Sequence, residues 1–190
     1  MLILASSSPF RKELLERLGI EFSCHSPDID EDALKSSELG PKEISQMLST
    51  QKAIEILKLY PEDTVIGSDQ VLNFNGEILG KPGNKENAQD QLMRLSGHTH
   101  ELITSFTIMN KNTSITETVS AKMKMKELSQ QQIDKYLEVD EPYGCCGSYK
   151  LERLGIALFS EVNCSDHTAI IGLPLIKLIS TLQKFGIKAI

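Results

Sequence analysis

Three consecutive serines followed by two cations stand close to the start of the chain. The serines at positions 6–8 come directly after a short apolar run that is typical of a buried strand. Ser8 precedes a proline, which predicts a helix capped by the serine, and Arg11 and Lys12 follow in its first turn. Hydroxyl groups, helix N-terminal amides and cations are the groups that hold a phosphate. An ordinary helix cap with two solvated cations explains the same pattern, so the local sequence leaves both interpretations open.

Carboxylates that could serve such a site occur at two places. Asp69 follows the apolar segment 64–66 and a Gly-Ser pair, so we expect it just beyond the end of a buried strand. A carboxylate there can bind a divalent metal and take a proton from water, and a turn-forming aspartate fits the same position. The acidic run 28–32 could supply a metal ligand, but it lacks the glycine and the distant glutamate of a calcium loop. A solvated acidic turn is the simpler interpretation of that run.

Two lysines and an adjacent pair of cysteines carry weaker signals. Lys52 lies on a predicted helix and Lys81 just past a predicted hairpin; each could reach a phosphate or be an ordinary surface lysine. Cys145 and Cys146 are adjacent, so they lack the spacing of zinc ligands, and the later Cys-x-x-His pair adds little. The sequence supports neither a structural zinc nor a catalytic cysteine.

The elements that must position these residues form a mixed α/β pattern. The pair Asn75-Gly76 predicts a tight hairpin, a capping box at Ser129 predicts a helix start, and Pro174 opens the last helix. Helical spacing covers 41–60 and 85–96, and alternating apolar residues predict strands within 99–125. We expect a single mixed α/β domain over residues 1–190, with room for two lobes around a cleft.

Composition and charge exclude several classes of protein. The chain has 190 residues, 40% of them hydrophobic, and a formal net charge of −6, so no basic face for long nucleic acid is expected. A small anion would need a local basic pocket. The start of the chain lacks a basic secretory region, and no apolar stretch reaches the roughly 18 residues of a membrane span. With only four cysteines, we expect reduced thiols and a cytoplasmic location.

Taken in order, these segments resemble the successive motifs of one protein family. The ordered motifs are Leu2-Ile-Leu-Ala-Ser-Ser-Ser-Pro-Phe-Arg-Lys12, Gln51-Lys-Ala53, Ile66-Gly-Ser-Asp-Gln-Val71, Gly80-Lys-Pro82, Gly147-Ser-Tyr-Lys-Leu-Glu152 and Gly172-Leu-Pro174. This series is similar to that of the Maf proteins and spans nearly the whole chain. An ordered set is far more specific than any single member of it.

The resemblance implies a fold, an activity and a set of site residues. The fold would be mixed α/β, like that of the inosine-triphosphate pyrophosphatases, with a cleft between two lobes. Water would attack the α-phosphorus of a nucleoside triphosphate and pyrophosphate would leave, assisted by a divalent cation, Mg²⁺ or Mn²⁺. Asp69 would accept the proton and contact the metal, with Glu31 as a second carboxylate. The residues expected to hold the triphosphate are Ser6, Ser8, Arg11, Lys12, Lys52 and Lys81.

Three further positions are expected to select the base. The sequence is most similar to the YceF-like branch, which resembles 7-methyl-GTP pyrophosphatases, whereas the dTTP/UTP branch typically differs at Phe10, Gln70 and Glu152. N7-methylguanine is a cationic purine that presents N1–H and N2–H₂ donors. Phe10 could stack on that cation, and Glu152 could accept both donors.

Two alternatives stay open on the sequence alone. The first is a dTTP/UTP or broad-specificity nucleotide pyrophosphatase. The second is a non-catalytic nucleotide-binding regulator of septum formation, which would have no need of Asp69 beside a metal. A homodimer is also left open by the sequence.

Overall fold

The protein is built on one mixed β-sheet. The computed structural model describes residues 1–31 and 39–189, and within these ranges the sheet has seven strands in the order β2-β1-β3-β5-β6-β7, with β4 paired to β3. The pairs β1–β2 and β1–β3 are parallel, and the remaining pairs are antiparallel. The strands are β1 Leu2–Ala5, β2 Ser23–Cys24, β3 Thr64–Phe74, β4 Glu77–Leu79, β5 Thr99–Met109, β6 Ser114–Met125 and β7 Phe159–Asn163.

Helices cover both faces of this sheet. In the described ranges they are α1 Pro9–Glu16, α2 Pro41–Leu59, α3 Lys85–Leu95, α4 Gln130–Asp140, the short α5 Thr168–Ile171 and α6 Leu175–Gln183. Two 3₁₀ turns, Cys146–Ser148 and Leu154–Leu158, complete the elements. None of the helices in these ranges is long and apolar enough to cross a membrane.

Alternate residues of β3 serve the two faces of the sheet, as the two-residue period of a strand requires. Val65 and Val71 pack in apolar clusters with residues of α2. Ile66 packs instead with residues of α1 and α6, and Leu72 packs with residues of α3 and α4. The strand therefore carries one set of side chains toward α2 and the other toward the opposite layer, where two groups of helices lie along it.

Strand pairing along one edge of β3 is interrupted at residues 68–71. β1 pairs with β3 only as far as Gly67, and β4 pairs with it only from Leu72 onward. Residues 68–71 pair with β5 on their other side, so within the described chain they border an opening between the end of β1 and the start of β4. A gap beyond the carboxyl end of a parallel strand is a common place for a ligand site in α/β sheets.

Several local predictions are confirmed. The hairpin at Asn75-Gly76 joins β3 to β4, and both residues have positive φ (54° and 90°), as a primed two-residue turn demands. Ser8 caps α1 by accepting a hydrogen bond from the backbone N–H of Arg11, and Ser129 forms the capping box of α4.

One prediction about β3 is wrong, and its correction changes the position of Asp69. The strand does not end at Gly67-Ser68-Asp69 but continues to Phe74, so Asp69 lies inside a strand of 11 residues. Gly67 marks a close approach of two backbones rather than a turn, because an added Cβ would lie 2.1 Å from the carbonyl oxygen of Ser49 on α2. The packing of α2 on the sheet thus requires the glycine. The sequence patterns also did not predict β2, β7 or α5.

Candidate active site

A cleft of about 770 Å³ opens beside the interrupted edge of β3. Residues of α1, α2 and α5 line it together with the segment 144–152, and members of two separate core clusters, Leu79 and Val71, meet there. The lining includes Ser8, Phe10, Arg11, Glu31, Lys52, Asp69, Gln70, Leu79, Lys81, Cys145, Cys146, Tyr149, Glu152 and Ile170. Its size lies in the range of ordinary small-molecule sites.

Asp69, Lys52 and Glu31 form an ion-paired group on the α2 side of the cleft. The Lys52 ammonium lies 2.6 Å from Oδ1 of Asp69 and 2.7 Å from Oε1 of Glu31. Asp69 and Lys52 are both buried, whereas the Glu31 side chain is 37% exposed. Oδ2 of Asp69 is buried and accepts no hydrogen bond from the described residues. A buried carboxylate oxygen without a donor is costly, so this atom is suited to a ligand, a metal or a proton.

A second corner of the cleft, here called the anion corner, is formed by Ser8 and Arg11 and carries groups that can hold an anion. The Ser8 N–H donates to Oγ of Ser6 at 3.1 Å, which fixes the turn ahead of α1. Nε of Arg11 donates to the carbonyl oxygen of Gly172 at 3.0 Å, and the Arg11 side chain lines the cleft. An arginine held by Nε keeps the terminal nitrogens of its planar fork for a phosphate.

Lys12, also predicted at this corner, lies elsewhere. Its ammonium pairs with Glu16 at 3.7 Å, its side chain is 58% exposed, and it is not among the residues that line the cleft. One step along a helix turns a side chain by about 100°, and on α1 the step from Arg11 to Lys12 carries the side chain out of the cleft that Phe10 and Arg11 line. Ser6 is buried and is used by the turn itself, while Lys81 lines the cleft as predicted and is exposed.

All three residues expected to select the base line the cleft, but they stand in different surroundings. Phe10 is half-buried on α1, and Glu152 is exposed on the loop before the second 3₁₀ turn. The amide nitrogen of Gln70 donates to Oγ1 of Thr104 and to two carbonyl oxygens of α5. A direct contact between Gln70 and a base would therefore have to use its amide oxygen. The substrate contacts of these residues stay predictions.

The structure adds lining residues that sequence patterns did not identify. Tyr149 is buried in the wall of the cleft, and its hydroxyl lies 2.8 Å from Nε2 of His100 on β5. Burial lowers the pKa of His100 to about 4 and raises that of Tyr149 well above its ordinary value. Burial also raises the pKa of the Cys145 thiol to about 11. That thiol stays protonated at neutral pH, which argues against a nucleophilic cysteine here.

His100 makes the stability of the protein depend on pH in a defined direction. The pKa of His100 is about 4 in the folded protein, below the 6.5 of an unperturbed histidine, so the unfolded chain takes up the proton first as pH falls. Stability is therefore full above pH 6.5 and is lost as pH falls toward 4. Between pH 7 and pH 5 the wild type should lose about 2 kcal/mol more unfolding free energy than His100→Gln, measured by urea denaturation. His98→Gln, which removes an exposed histidine, should behave like the wild type, and equal pH dependence of all three proteins would contradict this role.

The described residues offer carboxylates but no complete protein cage for a metal. No group of three or more His, Cys, Asp or Glu side chains within residues 1–31 and 39–189 is arranged to hold an ion. Mg²⁺ is commonly held by only one or two carboxylates, with substrate phosphates completing its shell. Asp69, whose buried Oδ2 accepts no hydrogen bond within residues 1–31 and 39–189, and Glu31 fit that pattern, because Lys52 already brings their carboxylates together.

Comparison with known proteins agrees with this geometry. A family model described as Maf-like protein matches residues 1–185, so the chain belongs to the Maf family. It is 45% identical over 188 residues to a protein of Pseudoalteromonas atlantica named 7-methyl-GTP pyrophosphatase, covering 98% of this chain and 95% of that one. A protein of Pseudomonas syringae pv. tomato with the same name is 42% identical over 188 residues, covering 98% and 97%.

The fold also occurs in a solved structure of low sequence identity. A HAM1 protein from Coxiella burnetii aligns with a TM-score of 0.52 and 14% identity, covering 96% of this chain and 98% of that one. This likeness concerns the fold alone. The mixed α/β architecture expected from the sequence is confirmed.

Proposed function

We propose that this chain hydrolyses 7-methyl-GTP to the nucleoside monophosphate and pyrophosphate. The proposal rests on the presence in one cleft of Asp69, whose buried Oδ2 accepts no hydrogen bond from the described residues, and of Arg11, whose Nε is held by the Gly172 carbonyl. The names of the Pseudoalteromonas and Pseudomonas relatives support this substrate.

The chain's own groups divide the work between positioning and proton transfer. Ser8 and Arg11 hold the β- and γ-phosphates at the anion corner, and Lys81, which lines the same cleft, adds a third positive or polar contact to them. Asp69 takes the proton of the water whose oxygen attacks the α-phosphorus. The bond from that phosphorus to the bridging oxygen breaks, and the oxygen leaves with pyrophosphate. Phosphoryl transfer of this kind is catalysed mainly by positioning and charge neutralisation.

A divalent cation, Mg²⁺ or Mn²⁺, would be held by Asp69 and Glu31 together with the phosphates. When bound it supplies further neutralisation of the phosphate charge. Lys52 keeps the two carboxylates in place beside the cleft, which is a different task from the direct phosphate contact expected from the sequence.

The base lies between Phe10 and the Tyr149–Glu152 side of the cleft. The Phe10 ring stacks on the cationic purine, and Glu152 accepts hydrogen bonds from N1–H and N2–H₂. We also propose that residues 1–190 act as one catalytic domain and that the protein works on free nucleotides in the cytoplasm rather than on long nucleic acid or membranes.

Glu152→Gln should lower discrimination in favour of the methylated purine. The substitution removes a charged acceptor and turns one oxygen into a donor that faces another donor. The expected loss is about 1.5–3 kcal/mol, or about ten- to a hundredfold in kcat/KM for 7-methyl-GTP, with a smaller loss for UTP. Glu161→Gln on β7 is the matched control, because Glu161 is exposed and is not among the residues that line the cleft. Equal losses for purine and pyrimidine substrates would remove Glu152 from base selection.

The proposed function is tested by a substrate panel in which pyrophosphate is detected. The panel contains 7-methyl-GTP, GTP, UTP and dTTP, each with and without EDTA. We expect the highest kcat/KM with 7-methyl-GTP and no release of pyrophosphate in EDTA. A preference for UTP or dTTP would show that 7-methyl-GTP is not the substrate. If no nucleotide released pyrophosphate, the proposed pyrophosphatase activity would be wrong.

A further inference from the structure

The short helix α5 is docked on the sheet by side-chain donors next to Asp69. Nε2 of Gln70 donates to the carbonyl oxygens of Ala169 at 2.9 Å and Ile170 at 3.0 Å. Oγ1 of Thr104 donates to the same Ala169 oxygen at 2.8 Å and accepts from Nε2 of Gln70 at 2.9 Å. The Ala169 oxygen also accepts from the backbone N–H of Gly172 at 3.1 Å, so the side-chain donors hold the last turn of α5 against β3 and β5.

The carbonyl of Gly172, two residues beyond Ile170, joins the sheet to the anion corner. It accepts one hydrogen bond from Oγ of Ser68 at 3.0 Å and another from Nε of Arg11 at 3.0 Å. Ser68 is fully buried, and its single hydroxyl proton is shared between the carbonyl oxygens of Gly172 and Ser105, each 3.0 Å from Oγ. Gly172 has a φ of 125°, and a Cβ added there would lie 3.4 Å from Nε of Arg11.

Because a guanidinium is planar, the direction of the Nε–H bond sets the direction of the whole fork. That bond is aimed at the Gly172 carbonyl, which Ser68 ties to β3. Ser68 and Asp69 are consecutive in the strand, so their side chains project from opposite faces of the sheet. One stretch of β3 therefore places the proposed proton acceptor directly and the phosphate-binding arginine through one intervening carbonyl.

We infer that Ser68 is a positioning residue that orients Arg11 through the carbonyl of Gly172, with Gln70 and Thr104 anchoring the segment that bears this carbonyl. Ser68 itself touches no substrate. The inference rests on the proposed function in that Arg11 meets the phosphates of the nucleotide. Gln70 then acts on the site indirectly, by holding α5 in place, in addition to lining the cleft.

A double-mutant cycle tests this coupling. Ser68→Ala, Arg11→Ala and the double variant are compared with wild type for kcat/KM on 7-methyl-GTP and, by calorimetry, for the Kd of inorganic pyrophosphate with Mg²⁺. We expect Ser68→Ala to change both quantities by about tenfold when Arg11 is present and by less than about twofold when it is absent, as for residues that act through one contact. Ser68→Cys, which keeps a weak donor of similar size, should fall between wild type and Ser68→Ala.

Ser49→Ala is the matched control, because it removes an equally buried hydroxyl on α2 whose partners are Gln46 and Thr107. Ser49→Ala should change kcat/KM and the Kd of pyrophosphate by the same factor with and without Arg11.

An equal factor for Ser68→Ala in both Arg11 backgrounds, or no effect in either, would overturn the inference while leaving pyrophosphatase activity intact. Wild type that binds no pyrophosphate would also overturn it. If pyrophosphate binding shows the expected coupling across the cycle but the wild type cleaves no nucleotide, the inference stands and the proposed function is wrong. If Ser68→Ala does not fold, the same cycle run with Ser68→Cys decides.

Discussion

Asp69→Asn should lower kcat by at least about a hundredfold, the usual scale for loss of a general base, while the protein remains folded. Oδ1 of Asp69 is held by Lys52, and the buried Oδ2 meets no donor from the described chain. An asparagine can keep its carbonyl oxygen toward the ammonium, so the fold is expected to persist. Its amide nitrogen then stands where Oδ2 was, and this nitrogen can neither accept a proton from water nor bind a cation.

Asp63→Asn is a suitable control for this experiment. Asp63 precedes β3 and pairs with the terminal ammonium of Met1 at 2.6 Å, away from the cleft. Turnover of Asp63→Asn should match wild type, and circular dichroism should show that both variants are folded. Turnover of Asp69→Asn within about tenfold of wild type would assign the proton transfer to another group.

Lys52→Met should cost about 3–5 kcal/mol of unfolding free energy, the range for removing one partner of a buried ion pair. Lys52 is the cation between Asp69 and Glu31, and its own side chain is only 8% exposed. Without it, two carboxylates face each other beside the cleft, one of them buried. Urea denaturation measures the loss of stability, and activity at low temperature, where the variant is folded, should fall as well because Asp69 is no longer held.

Lys58→Met on the same helix provides the comparison. Lys58 is 64% exposed and pairs with Glu55 at 2.9 Å, so its removal should cost no more than about 1 kcal/mol. If the two lysine variants had equal stability, the ion-paired group would not contribute to the fold as its burial implies.

Local sequence signals predicted the elements whose cause is local. The turn at Asn75-Gly76 and the caps at Ser8 and Ser129 each depend on the conformation of a few neighbouring residues, and all three are confirmed. The continuation of β3 through Gly67 is different, because a distant helix backbone makes the glycine necessary. A Gly-Ser-Asp sequence is typical of a turn, and only the packing of α2 reveals the close approach.

The site shows the same division. The fold brings Asp69, Lys52, Arg11 and Lys81 to one cleft, as the resemblance of the ordered motifs to those of the Maf proteins led us to expect. They could not reveal that Lys12 points away, since that depends on the rotation of α1. Nor could they reveal the contacts of His100 with Tyr149, which join residues 49 positions apart. Contacts at such separations leave no pattern in neighbouring residues.

The most direct measurement of the central claim is hydrolysis of 7-methyl-GTP in water enriched in oxygen-18, with mass spectrometry of both products. If water attacks the α-phosphorus, we expect one labelled oxygen in 7-methyl-GMP and none in pyrophosphate. Label in pyrophosphate would show attack at the β-phosphorus, and release of orthophosphate would show stepwise removal of the terminal phosphate. The first result would contradict attack of water on the α-phosphorus, and the second would contradict a nucleoside triphosphate pyrophosphatase.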